Sequence, residues 1–143
     1  MKKFVAVLSA AAMLATLAAC GSTATTSTAT SSADTAKSYK IAVVQQLDHA
    51  SLDEIRTAVE AELDAKAAEK GITIEYKDFN GQNDATTLNQ IGTQVVSDGY
   101  DAIIPIASLA AQCMTTAAAD SQTPVIYAAI SDPESAELAG IDY

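Results

Sequence analysis

Four short stretches of the chain carry the side chains that could do chemistry. Gln45, Gln46, Asp48, His49, Ser51 and Asp53 fall in the first, and Asn80, Gln82, Asn83 and Asp84 in the second. Ala107, Ser108, Ala110 and Gln112 form the third, and Ser131, Asp132 and Pro133 the fourth. His49 is the single histidine. Without a second histidine or a CxxC pair, a zinc site has little support. A Ser-His-Asp arrangement cannot be built on one histidine and scattered serines. His49 is read equally as a residue facing a bound molecule and as a solvated loop residue. Ser108, ahead of a run of small residues, offers a hydroxyl and the free N–H groups of a helix start, a fit for a carboxylate. It reads as well as a plain N-cap. Asp132, in a Ser-Asp-Pro sequence, could pair with an ammonium group or simply form the turn. The stretch around Gly81 matches no phosphate-binding loop, having neither GxGxxG nor GKS or GKT. No metal and no cofactor are expected.

These stretches need elements to hold them. Lys40 to Val44 is a short apolar run suited to a buried parallel strand. Ser51 and Glu54 have the spacing of a capping box. Leu52, Ile55, Val59, Leu63 and Ala67 then recur at helical spacing until Gly71 stops the helix. Ile72 to Tyr76 alternates as a second strand, and Asp78 to Asn83 reads as a turn. Asp84 can cap a helix bearing Leu88, Ile91, Val95 and Val96, which Gly99 ends. Ala102 to Ile106 is a third strand, Leu109 to Ala119 a helix capped by Ser108, and Pro124 to Ile130 a fourth strand. Strands alternating with helices predict an α/β fold, a parallel sheet with helices on both faces. In such sheets small molecules bind beyond the carboxyl ends of the strands, where all four stretches fall.

The amino terminus has another character. Lys2 and Lys3 precede an apolar run, Phe4 to Leu14, and then small residues up to Ala19. That is the layout of a signal peptide, 1–19, and the apolar run is shorter than the ~20 residues a membrane span needs. Leu17-Ala18-Ala19-Cys20 resembles the lipobox of bacterial lipoproteins. The resemblance implies cleavage before Cys20 and a lipid on its sulfur, with palmitate-type acyl chains contributing about 0.8 kcal/mol per buried methylene. Residues 20–38 are rich in Ser, Thr and Ala and read as a flexible tether. The expected location is the extracytoplasmic side of the cell membrane, held by that lipid.

About 105 residues, 39–143, remain for one small domain. Loss of Lys2 and Lys3 takes the formal net charge from −10 to −12. With one arginine and no basic cluster, nucleic acid and anionic lipid surfaces are poor partners. Cys20 is assigned to lipid, which leaves Cys113 unpaired and read as a small buried apolar residue.

Several blocks in order carry a resemblance: His49-Ala50-Ser51-Leu52-Asp53, Asn80-Gly81-Gln82-Asn83-Asp84, Asp101 through Gln112, and Ala129-Ile130-Ser131-Asp132-Pro133. From about Tyr39 to Tyr143 the chain is similar to ABC-transporter substrate-binding lipoproteins of the tryptophan/tyrosine-binding type. Leu109 stands where that family has proline. The resemblance implies a type I periplasmic-binding-protein fold of two hinged α/β lobes, of which 39–143 would be the first. The chain stops at Gly140-Ile141-Asp142-Tyr143, about where the family crosses to its second lobe, so a fragment or a truncated gene product is expected. It further implies capture of a small solute, an aromatic amino acid above all, for an ABC permease and its ATPase. Ser108 and neighbouring amides would then take the carboxylate and Asp132 the ammonium. Asp48, His49, Ser51, Asn80, Ala110, Gln112 and Ser131 would complete the ligand set. No catalysis is expected; the competing reading is a flavodoxin-like or hydrolase-like surface enzyme.

Overall fold

The computed structural model describes residues 37–134 together with Ala136 and Leu138. The signal peptide, Cys20, most of the tether and the last residues of the chain lie outside the described residues. Six elements follow one another: β1 (Ser38–Gln45), α1 (Ala50–Lys70), β2 (Thr73–Asn80), α2 (Ala85–Ser97), β3 (Ala102–Ile106) and α3 (Ser108–Ala118). The three strands are parallel, in the order β2-β1-β3. Gln45 lies opposite both Asn80 and Ile106, so the three strands end level and their following loops meet at one edge.

Right-handed crossovers from a central β1 send α1 and α2 to opposite faces. The strand pleat agrees. Ala42, Val44 and Ile103 point into a core with Leu88 and Val95 of α2 and Ala110, Cys113, Met114 and Ala118 of α3. Gln45, on the alternate face of β1, reaches Asp53 of α1 instead. Gly92 lets α2 and α3 approach closely, since a Cβ there would sit 2.7 Å from the Ala117 Cβ. Asp84 caps α2 as expected, its carboxylate accepting from the Thr87 N–H at 2.7 Å and hydroxyl at 2.8 Å. Gly71 ends α1 in the left-handed region, φ 61°, with its N–H turned back on the Ala67 and Ala68 carbonyls.

The structure corrects four expectations. The turn placed at Asp78 to Asn83 begins later, because β2 continues to Asn80. Val43, Val44 and Gln45 supply pairing partners as far as Asn80, and Phe79 packs against the core. Lys77 and Asp78 conceal this in the sequence, since an edge strand tolerates polar residues on its open face. The start of α1 is capped by His49 rather than by Ser51 with Glu54. The start of α3 is Ser108 itself, after Ala107, with no side-chain capping bond from its own end of the helix.

The fourth expectation concerns Pro124 to Ile130, which forms isolated parallel bridges, Ile103 with Val125 and Ile106 with Ala128, rather than a strand. Ile103 donates to the Pro124 carbonyl and accepts from Ile126, and the Pro105 carbonyl accepts from Ala128. The next ladder donor on that side would be the N–H of residue 105. Proline has none, so the ladder breaks there.

Candidate functional site

The site is assembled where β1, β2 and β3 end. Gln45 closes β1 and Gln46 follows it, the two side chains leaving on opposite sides. Gln45, 2% exposed, donates through Nε2 to the Leu47 carbonyl at 2.6 Å and to Asp53 Oδ1 at 2.7 Å. It ties the loop after β1 to the first turn of α1. Gln46 faces the α3 side, and its Oε1 accepts the Leu109 N–H at 3.1 Å. Its Nε2 donates to Asn83 Oδ1 at 2.8 Å.

Each further loop has its own local cause. His49 is extended, φ −154°, ψ 133°, and its Nδ1 accepts the Ser51 N–H at 3.3 Å while its carbonyl accepts from Leu52 and Asp53. An imidazole thus performs the capping that Ser, Asp or Asn usually performs. Asn80 donates through Nδ2 to Asp48 and accepts the Gln82 N–H at 2.7 Å, a local Asx turn. Gln82 and Asn83 then take left-handed backbone, φ 51° and 55°. Ala107 is the strained point of the edge, at φ 78°, ψ 160°, a region populated almost solely by glycine. It is held there by its N–H to the Ala128 carbonyl and its carbonyl to the Ala111 N–H, both 3.0 Å.

A depression of about 230 Å³ lies beside these loops on the α1 side, lined by Gln45, Asp48, Asp53, Arg56, Asp78, Phe79 and Asn80. Its charge is mostly negative. Arg56 pairs with Glu60 and approaches Asp78 at 3.5 Å. The bond to Glu60 raises the Arg56 pKa, Asp78 and Asp53 adding to it. Burial pushes the Asp78 carboxyl above its ordinary range, and Glu60 adds to that; Arg56 offsets only part. At the opposite extreme, the hydrogen bonds from Thr87 hold Asp84 below the ordinary carboxylate range.

The residues singled out from the sequence do not form one cluster. Asp48 and Asn80 bond one another, and His49 and Ser51 share the α1 cap. Ser108 is tied to the first two loops only through its neighbour Leu109, whose N–H Gln46 accepts while Gln46 donates to Asn83. The Ala110 side chain is fully buried in the core, so only its backbone could meet a solute. Gln112 points elsewhere: it donates to the Ala136 carbonyl at 3.1 Å and lines a separate depression of about 270 Å³ with Thr115, Thr116, Ala136 and Leu138. Ser131 and Asp132 are exposed, and the Asp132 carbonyl accepts the Ala136 N–H at 3.2 Å. Gln45 and Gln46 are among the loop candidates but have no place in the expected ligand set, and Arg56 is not singled out. The signal for the first two is a pair of amides at the end of an apolar strand, where period 2 makes one face each side of the sheet. Among the described residues there is no group of His, Cys, Asp and Glu able to hold a metal. Among them, too, no helix is long and apolar enough to cross a membrane.

A level parallel edge with polar loops and helices on both faces is the α/β arrangement in which small molecules meet the carboxyl ends of the strands. The chain belongs to the ABC transporter substrate binding protein family, which it matches over residues 40–140. It is 33% identical over 105 residues to a tyrosine-binding protein of Clostridioides difficile, covering 73% of this chain and 30% of that one. Its fold is similar to the ligand-free, open structure of a substrate-binding protein with adhesive properties from Clostridium difficile. There the TM-score is 0.64 at 32% identity, covering 72% of this chain and 34% of the other. A domain from Streptococcus pneumoniae in complex with L-Trp superposes with a TM-score of 0.63 at 34% identity, covering 71% and 33%. The chain therefore spans about a third of the length of these relatives.

Proposed function

We propose that this chain contributes one wall of a binding cleft for a small solute, an aromatic amino acid, which is handed to an ABC permease and its ATPase. The supporting observation is the level edge at Gln45, Asn80 and Ile106, in a chain 34% identical to a domain that was solved with L-Trp. Backbone N–H groups at the start of α3 suit a carboxylate, because a helix start leaves such donors without intrahelical acceptors. Asp132 is the partner proposed for the ammonium group. The loops at Asp48–Ser51 and Asn80 would face the rest of the solute. A lipid on Cys20 would hold the protein on the extracytoplasmic face of the membrane, with residues 20–38 as its tether.

The test is calorimetric titration of the chain with the twenty amino acids. Saturable heat with L-Trp, L-Tyr or L-Phe, and weaker heat with Asp132→Ala, supports the reading. Equal response to all twenty, or to none, removes the aromatic assignment. The anchor has a separate test: radiolabelled palmitate should enter the wild-type protein in its host and not a Cys20→Ser variant.

A further inference from the structure

We infer that Gln46 is a positioning residue of the solute site, an amide clasp that makes the loops after β1, β2 and β3 one rigid unit. The inference rests on the solute-binding reading above. Four hydrogen bonds converge on this one residue. Its N–H donates to the Ile106 carbonyl at 3.2 Å, and its carbonyl accepts the Asn83 N–H at 2.8 Å. Its side chain accepts from the Leu109 N–H and donates to Asn83 Oδ1. The Leu109 N–H can only donate, which fixes the end of the amide that faces it. The turn after β2 also passes close overhead, a Cβ on Gly81 lying 3.1 Å from the Gln46 carbonyl oxygen.

The side-chain contact falls where the backbone most needs one. Leu109 is the second residue of α3, and its N–H has no acceptor within its own helix. Residue 107, which would ordinarily supply a capping side chain, is an alanine in strained backbone. Gln46 supplies that cap from the end of β1, 63 positions earlier in the chain. Because the cap comes from another loop, the first turn of α3 cannot shift without pulling on Asn83 and Ile106. Because the cap is neutral, the positive end of the α3 dipole stays available to an anion.

Two variants separate these roles. Gln46→Ala removes the clasp. Gln46→Glu keeps an acceptor for the Leu109 N–H, and keeps Asn83 once its amide turns to present Nδ2, but places a negative charge at the helix start. Amide hydrogen exchange on the chain should show Leu109 exchanging at least tenfold faster in Gln46→Ala than in wild type. Val43 should be unchanged, and Gln46→Glu should restore the protection of Leu109. With L-Trp as probe, Gln46→Glu should bind at least tenfold more weakly than wild type at pH 7. That deficit should narrow by about pH 3, below the ordinary carboxylate range, because the helix start and the Leu109 N–H favour the ionised form of the introduced carboxyl. A purely structural cap would show no such pH-dependent gap. Equal Leu109 exchange in wild type and Gln46→Ala overturns the clasp. Equal L-Trp affinity for wild type and Gln46→Glu at both pH values overturns its bearing on the site. Wild-type chain that binds no L-Trp, with the exchange result intact, would remove the solute reading and leave the loop clasp standing.

Discussion

The two faces of the sheet are built differently. Toward α2 and α3, Leu88, Val95, Ile103, Ala110 and Met114 are all buried in one apolar cluster. Toward α1, no residue of the 21-residue helix is buried, although Leu52, Ile55, Val59 and Leu63 form the expected half-covered stripe. Polar groups take part of that face: Gln45 on Asp53, and Arg56 with Glu60 and Asp78. The α1 face still buries Ile41, Val43, Ile104 and Ile106 of the strands, but under a half-exposed helix that leaves a charged depression beside the loops. Ligand-binding loops are in general drawn from the less stable parts of a structure, and the loops here adjoin the less closely packed face.

The contrast can be broken by mutation, the strongest blow falling on the apolar face. Leu88→Ala, at a site with no exposure, should cost about 2–5 kcal/mol in denaturant unfolding. Gly92→Ala should cost about 1–3 kcal/mol despite the better helix propensity of alanine, because the new methyl meets Ala117 and Met114. On the other face, Val59→Ala, at a half-buried position of α1, should cost less than about 1 kcal/mol. If Val59→Ala proved as costly as Leu88→Ala, the two faces would not differ as described.

The smallest effect carries a sign rather than a size. Asp78 binds its proton more tightly when folded than when unfolded, burial outweighing the attraction of Arg56. The folded state then holds more protons just above the ordinary carboxylate range, so this group's contribution to stability falls as pH rises through that window. Asp78→Asn should therefore lose ground relative to wild type at pH 4 and gain it at pH 7, measured by melting temperature. The reverse order would show that the ion pair with Arg56 outweighs burial.

Much of the fold was legible because its signals are local. The apolar run at Lys40 to Val44, the helical stripe from Leu52, the Asp84 cap and the Gly71 stop each act within a few residues. The errors came where a distant partner decides. β2 runs on through Lys77 and Asp78 because β1 is there to pair with it. The strand expected at Pro124 to Ile130 fails because of Pro105, some twenty residues away. The site followed the same pattern. The loops were foreseen from topology, but Gln46 caps a helix 63 positions downstream, and no spacing rule reaches that far. Ala110 was chosen for its place in a helix start, while its burial depends on packing against α2 and the sheet.

The central claim is that a solute meets the edge where β1, β2 and β3 end. Its most direct test is a titration of the isotope-labelled chain with L-Trp, followed by amide chemical shifts. The expected result is saturable shifts confined to residues 46–53, 80–84, 107–110 and 131–133, with Gly71 and Gly99 at the opposite ends of the helices unmoved. Shifts centred on Thr115, Thr116 and Leu138, or none at that edge, would contradict it.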